Sequence, residues 1–129
     1  MENIEFKTTL VRNPKDMRSD NWQNKCYQWC VSINGVEFDY YTGVGCVIKS
    51  KHSLGKDIPK PPTLDDVLYS IIRDYEACEQ SFADWCAMCG YDEDSRKALE
   101  TYLACQNNGE KLRKARIDIN EQRARLADY

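Results

Sequence analysis

Histidine is nearly absent from this chain: 129 residues contain one, His52, in a polar stretch rich in glycine, proline and lysine. A cysteine or serine nucleophile needs a positioned base, so triad chemistry of the cysteine-protease kind has no credible partner residue. Long apolar runs are missing as well. A bilayer-spanning helix needs roughly 18–20 apolar residues, and no stretch approaches that. The first residues, Met1-Glu2-Asn3-Ile4-Glu5, have neither the basic nor the apolar segment of a leader, so no membrane partner is expected and the chain is expected in the cytoplasm. Gly43 and Gly45 form a lone G-x-G without the third glycine of a dinucleotide fingerprint. The run "DEDS" lacks the central glycine and distal glutamate of a calcium loop. No cofactor is called for.

Cysteine, by contrast, is plentiful, at positions 26, 30, 46, 78, 86, 89 and 105. In a reducing cytosol these stay thiols, and a free cysteine packs as a small apolar side chain. Cys26 and Cys30 lie four apart on one expected strand face, about 13 Å at ~3.3 Å per residue, too far to share a disulfide or a metal ion. The stretch "DWCAMC" invites comparison with redox motifs. A redox cysteine sits at a helix N-terminus, whereas Cys86 falls several residues beyond the expected cap at Ser81. Cys86 and Cys89, at i and i+3, could give a zinc ion two thiolates. The remaining ligands would have to converge from Cys46, His52, Cys78 or Cys105, because no second compact pair exists. A small zinc- or thiol-dependent protein centred on Cys86 and Cys89 is therefore the alternative reading.

The pattern of the first half is that of strands. Ile4, Phe6, Thr8 and Leu10 alternate with polar residues until Asn13-Pro14. Further on, Asn34-Gly35 separates two alternating runs, the signature of a type I′ hairpin. Tyr27, Trp29, Val31 and Ile33 share one face of the first arm with Val36, Phe38 and Tyr40 of the second. After an irregular stretch to Pro62, the period changes to helical. Leu64, Val67, Leu68, Ile71, Ile72 and Tyr75 form an apolar stripe behind the cap Thr63. Ser81 is the expected cap of a short second helix that Gly90 ends. A third helix, capped by Asp92, Asp94 or Ser95, follows Ala98, Leu99, Tyr102, Leu103 and Cys105, with Asn107-Asn108-Gly109 ending or weakening it. Beyond that, Leu112, Ala115 and Ile119 make a thin apolar line in a tail whose order could depend on a partner.

The expected fold is thus α+β, a small antiparallel sheet of about three strands including the Asn-Gly hairpin, packed against three to four C-terminal helices. A single domain spans 1–129, with strands over about 3–48, a loop over 49–62 and the helical part over 63–129.

Charge is unevenly spread. The chain is net −3, but residues 63–100 hold ten acids against Arg73, Arg96 and Lys97, net −7, and the last twenty residues are net +2. Such polarity suits a charged partner surface. The candidate contacts are Asp65, Asp66, Asp74, Glu76, Asp92, Glu93 and Asp94, with Tyr41, Lys111 and Arg113 as secondary ones. Direct nucleic-acid binding is disfavoured by the net charge; if it occurred, Lys111, Arg113, Lys114 and Arg116 would carry it. A homodimer is compatible with the composition.

The stretch "PPTLDDVLYSIIRDYEACEQSFADWCAMCGYDEDSRKALETYLACQ", behind an aromatic hairpin, resembles small bacteriophage- and prophage-encoded accessory proteins of uncharacterised function, over most of residues 22–112. Ser81 to Cys105 is the most specific part, similar to a Ser-Phe-x-x-Trp/Phe-Cys block followed by Gly-Tyr-Asp-x-Asp-Ser-x-Lys-Ala; Cys89 departs from it, standing where an acidic or polar residue is expected. The resemblance implies a viral accessory role. Some small phage proteins of this kind inhibit host defence, including CRISPR–Cas effectors. The expectation is therefore a non-enzymatic inhibitor of anti-CRISPR type that binds a host defence protein in the bacterial cell through its acidic helix surface.

Overall fold

The computed structural model describes residues 3–48 and 58–129, and His52 lies outside them. The chain forms two compact units, Met1–Thr63 and Leu64–Tyr129.

In the first unit, β1 (Phe6–Arg12), β2 (Tyr27–Ile33) and β3 (Val36–Thr42) make an antiparallel sheet in the order β1-β2-β3. The hairpin turn is the one its two residues favour: Asn34 at φ 49° and Gly35 at φ 84° are both left-handed. Asn34 also ties in the start of β1. Its Oδ1 accepts from the Glu5 N–H at 2.8 Å, and its own N–H donates to the Glu5 carbonyl at 2.8 Å.

Register follows the alternation, pairing Trp29 with Tyr40, Val31 with Phe38 and Ile33 with Val36. Trp29, Val31, Ile33 and Phe38 are buried, each removal from water contributing about 1.5–3 kcal/mol. Between Leu10 and Arg12 the β1 register slips, so that Leu10 faces Trp29 and Arg12 faces Gln28. This bulge at Val11 moves Arg12 to the sheet's other face, where strict alternation would not place it. The loop from β1 to β2 closes on itself, with the Lys15 and Asp16 N–H groups donating to the Asn24 carbonyl, and ends in a single 3-10 turn, Trp22–Lys25. Two short strands, β4 (Val47–Ile48) and β5 (Ile58–Pro59), pair antiparallel.

The second unit holds α1 (Leu64–Ala77), α2 (Phe82–Cys89), α3 (Arg96–Lys114) and α4 (Ile119–Arg125). Val67, Leu68, Ile71 and Ile72 are the buried stripe of α1. Ser81, Ser95 and Asp118 each accept a backbone N–H three residues on, capping α2, α3 and α4. Of the three residues considered for the third cap, Ser95 is the one that serves.

Asn107-Asn108-Gly109 does not end α3, which runs on to Lys114. Gly109 is buried, and a Cβ built there would run into the Tyr75 ring of α1. Its role is close approach between helices rather than termination. The helix stops instead at a Schellman turn: Arg116, at φ 63°, donates to the Arg113 carbonyl, and Ile117 donates to Leu112. Leu112, Ala115, Ile117, Ile119 and Leu126 are buried, so the C-terminal segment is part of this core. The apolar line read through Leu112, Ala115 and Ile119 underestimates it, because Ile117 and Leu126 fall outside one continuous helical period. Among the described residues no helix is long and apolar enough to cross a membrane.

Two substitutions test this account with opposite signs. Gly109→Ala should destabilise the protein by about 1–3 kcal/mol in urea unfolding followed by circular dichroism, although alanine is the better helix former. Arg116→Gly should raise stability by roughly 0.5–1 kcal/mol, since glycine takes the left-handed conformation at no steric cost.

Candidate functional site

The segment Ser81–Cys105 is built around four aromatic rings. Trp85 stacks on Tyr91 (centroids 5.3 Å apart, 12° between planes) and meets the Tyr102 ring at 5.3 Å, while Phe82 lies 5.3 Å from Tyr102. The Ser81 cap sets the rotation of α2. Gly90, at φ 77°, lets the chain reverse so that the Tyr91 N–H reaches the Cys86 carbonyl at 2.9 Å. Tyr102 anchors this group to the end of α1: its hydroxyl donates to the Gln80 carbonyl at 2.7 Å and lies 3.3 Å from that of Cys78.

The C-x-x-C is split by this packing. Cys86 is fully buried beside Trp85, and Cys89 is exposed. Burial pushes the Cys86 thiol up, with Glu93 adding to the effect, the opposite of what a reactive thiolate requires. Burial drives Cys78 further, up to about 12, helped by the neighbouring Cys105. All seven cysteines are free thiols. No group of three or more His, Cys, Asp or Glu side chains among the described residues could hold a metal ion.

The candidate acidic residues fall into two sets. Those on α1 are occupied within the fold. Asp65 accepts from Arg125 at 2.6 Å, and that hydrogen bond holds its carboxyl below the usual range. Glu76 pairs with Arg123, which also reaches Glu79 at 3.6 Å, and Asp74 pairs with Arg73 at 3.4 Å. Asp66 too is engaged. Asp74 also borders a groove of about 480 Å³ walled by Trp85, Met88, Cys89, Tyr91 and Cys105.

Asp92, Glu93 and Asp94 make up the second set, in the exposed connection between α2 and α3. Asp92 orders this connection, its Oδ1 accepting the Asp94 N–H at 3.1 Å and its carbonyl accepting the Ser95 N–H at 3.0 Å. No ion pair among the described residues reaches any of the three. The structure thus separates carboxylates engaged within the fold, two of which (Asp65 and Glu76) join α1 to α4, from carboxylates that no ion pair reaches among the described residues.

The secondary candidates are dispersed. Arg113 pairs with Glu110 and lies over the Tyr75 ring at 5.3 Å, while Lys111 has contacts of its own within the fold. Tyr41, in the first unit, meets the exposed Trp22 edge to face, with centroids 5.3 Å apart. Burial raises its hydroxyl pKa, Asp39 adds to this, and Arg12 opposes it. This small cluster was not read from the sequence, because it depends on the bulge that puts Arg12 on that face. The Arg12 guanidinium donates to the Gln23 carbonyl at 3.0 Å, while its Nε is buried with no hydrogen-bond partner among the described residues.

Comparison with protein-family models, curated proteins and solved structures gives no match to this chain.

The buried thiol makes a testable pH dependence. A folded-state pKa raised above the unfolded one means that the folded chain holds the proton longer, so the stabilisation is complete below the ordinary thiol range and is lost as pH rises towards about 12. Cys78→Ala removes this dependence while leaving a cavity. The stability gap between the parent protein and this variant should therefore be widest near neutral pH and narrow through alkaline pH, as read by urea unfolding at each pH.

Proposed function

We propose that this protein is a non-enzymatic inhibitor that acts by binding a host protein, in the manner of phage anti-defence factors, with a CRISPR–Cas effector as the favoured class of target. The observation that supports the reading is the run Asp92-Glu93-Asp94: three consecutive carboxylates on an exposed connection, held between two capped helices and reached by no ion pair among the described residues. Proteins that grip nucleic acid present rows of Lys and Arg to phosphates. A rigid acidic turn can occupy such a channel, its carboxylates standing where phosphates would. Being water-exposed in the free protein, these groups are available to steer encounter electrostatically, and a hydrogen bond or two from arginine would recover their desolvation. Such a target places the protein in the bacterial cytoplasm.

The test is a binding measurement between the tagged protein and purified CRISPR effectors, preceded by capture from bacterial lysate to choose among them. A stoichiometric partner is expected, whose affinity falls as salt rises. Asp92→Asn, Glu93→Gln and Asp94→Asn combined should weaken it by at least about tenfold, roughly 1.4 kcal/mol, and relieve inhibition of nucleic-acid cleavage in parallel. Binding indifferent to both salt and the triple substitution would sink the acidic-turn reading; no partner at all would sink the inhibitor reading.

A further inference from the structure

Helix α3 has a second face that neither the core nor the acidic turn accounts for. Its inner side is marked by the buried Ala98, Tyr102, Gly109 and Leu112. Flanking it, Leu99 and Leu103 are exposed, by 43% and 51%, one helical turn apart, and Leu103 and Glu110 border an open groove shared with Tyr75 and Glu79 of α1. At about 100° per residue, Arg96, Glu110 and Lys114 lie on the same stripe. Behind the acidic turn, this stripe carries Arg96, Leu99, Leu103, Asn107, Glu110 and Lys114 in that order.

That order is complementary to its own reverse. Arg96 and Glu110 each lie seven residues from Leu103, and Asp92 and Lys114 each lie eleven. We infer that this face of α3 docks against the same face of a second copy of this chain, antiparallel, about a two-fold axis through Leu103. Arg96 of each copy then meets Glu110 of the other, Lys114 approaches the turn holding Asp92, Leu103 packs on its own copy at the axis, and each Leu99 meets Asn107 of the other copy. A parallel arrangement would set like charges side by side. A two-fold centred on Leu99 would separate Arg96 from Glu110. Arg96 is already paired with Glu100 at 3.2 Å, and Glu110 with Arg113, but these exposed pairs are weak and leave both side chains able to take a second partner.

Two helices of this length, about 28 Å, bury less than a standard stable interface, so the expected dimer is weak, dissociating at roughly tens to hundreds of micromolar. Its test needs no host component and is therefore independent of the inhibitor reading. Sedimentation of the full-length protein from about 1 µM to 1 mM should show a reversible monomer–dimer equilibrium. Leu103→Glu, which sets two carboxylates against each other on the axis, should abolish it. Arg96→Glu and Glu110→Arg should each weaken it by roughly tenfold, and the double charge swap should restore it. All these side chains are exposed, and circular dichroism of each variant checks that the helices remain. A chain that stays monomeric to about 1 mM, a dimer unmoved by Leu103→Glu, or a double swap that fails to restore association would overturn the proposal.

Discussion

Helix α3 approaches α1 so closely that position 109 has no room for a side chain, and most of the helical unit depends on that approach. With Gly109 under the Tyr75 ring, α3 can continue as a 19-residue helix alongside α1 instead of breaking at its Asn-Asn-Gly. Its length lets one end carry Tyr102 into the aromatic group and the other carry Leu112 to the Schellman turn, from which Ile117 and α4 fold back. Tyr102 fixes the first end by its hydroxyl bonds to the carbonyls beyond α1. A methyl group at residue 109 acts on all of these together.

The same packing sorts the charges. The segment 63–100 is strongly acidic in sequence, yet α4 brings Arg123 and Arg125 to Glu76 and Asp65, so much of the acidity of α1 is consumed in joining two helices. These pairs are part-exposed, and their contribution is screened by water and salt. What remains outside this internal pairing, among the described residues, is Asp84 on α2 and the turn at Asp92–Asp94, whose geometry is set by Gly90 on one side and Ser95 on the other. The cysteines follow a comparable division. Cys78 and Cys86 are packing groups whose burial suppresses the thiolate, and Cys89 points outward, so proximity in sequence does not become a shared site.

Local chemistry made much of the fold legible in advance. Asn34-Gly35 could hardly be other than a tight hairpin, because two successive left-handed residues are cheap only for such pairs. The burial of Trp29, Val31, Ile33 and Phe38 on one face, the α1 stripe, and the caps at Ser81 and Gly90 were all readable from the period and from capping preference. Two features were not. The bulge at Val11 has no sequence mark, and it alone places Arg12 beside Gln28 and near Tyr41. Gly109 bears the same local signal as a helix terminator, and only the ring of Tyr75, thirty-four residues earlier, decides otherwise.

By itself, then, the sequence determined the class of fold, the order of its main elements and the inward faces of β2, β3 and α1, since each follows from interactions among residues within a few turns or one strand pair. Which carboxylates stay free was decided only by the tertiary structure. Asp65 and Asp92 look alike at a helix N-terminus, and what separates them is an arginine sixty residues away that reaches the first and, among the described residues, none that reaches the second. Charge pairing over that distance is a property of how helices pack, and no local preference encodes it.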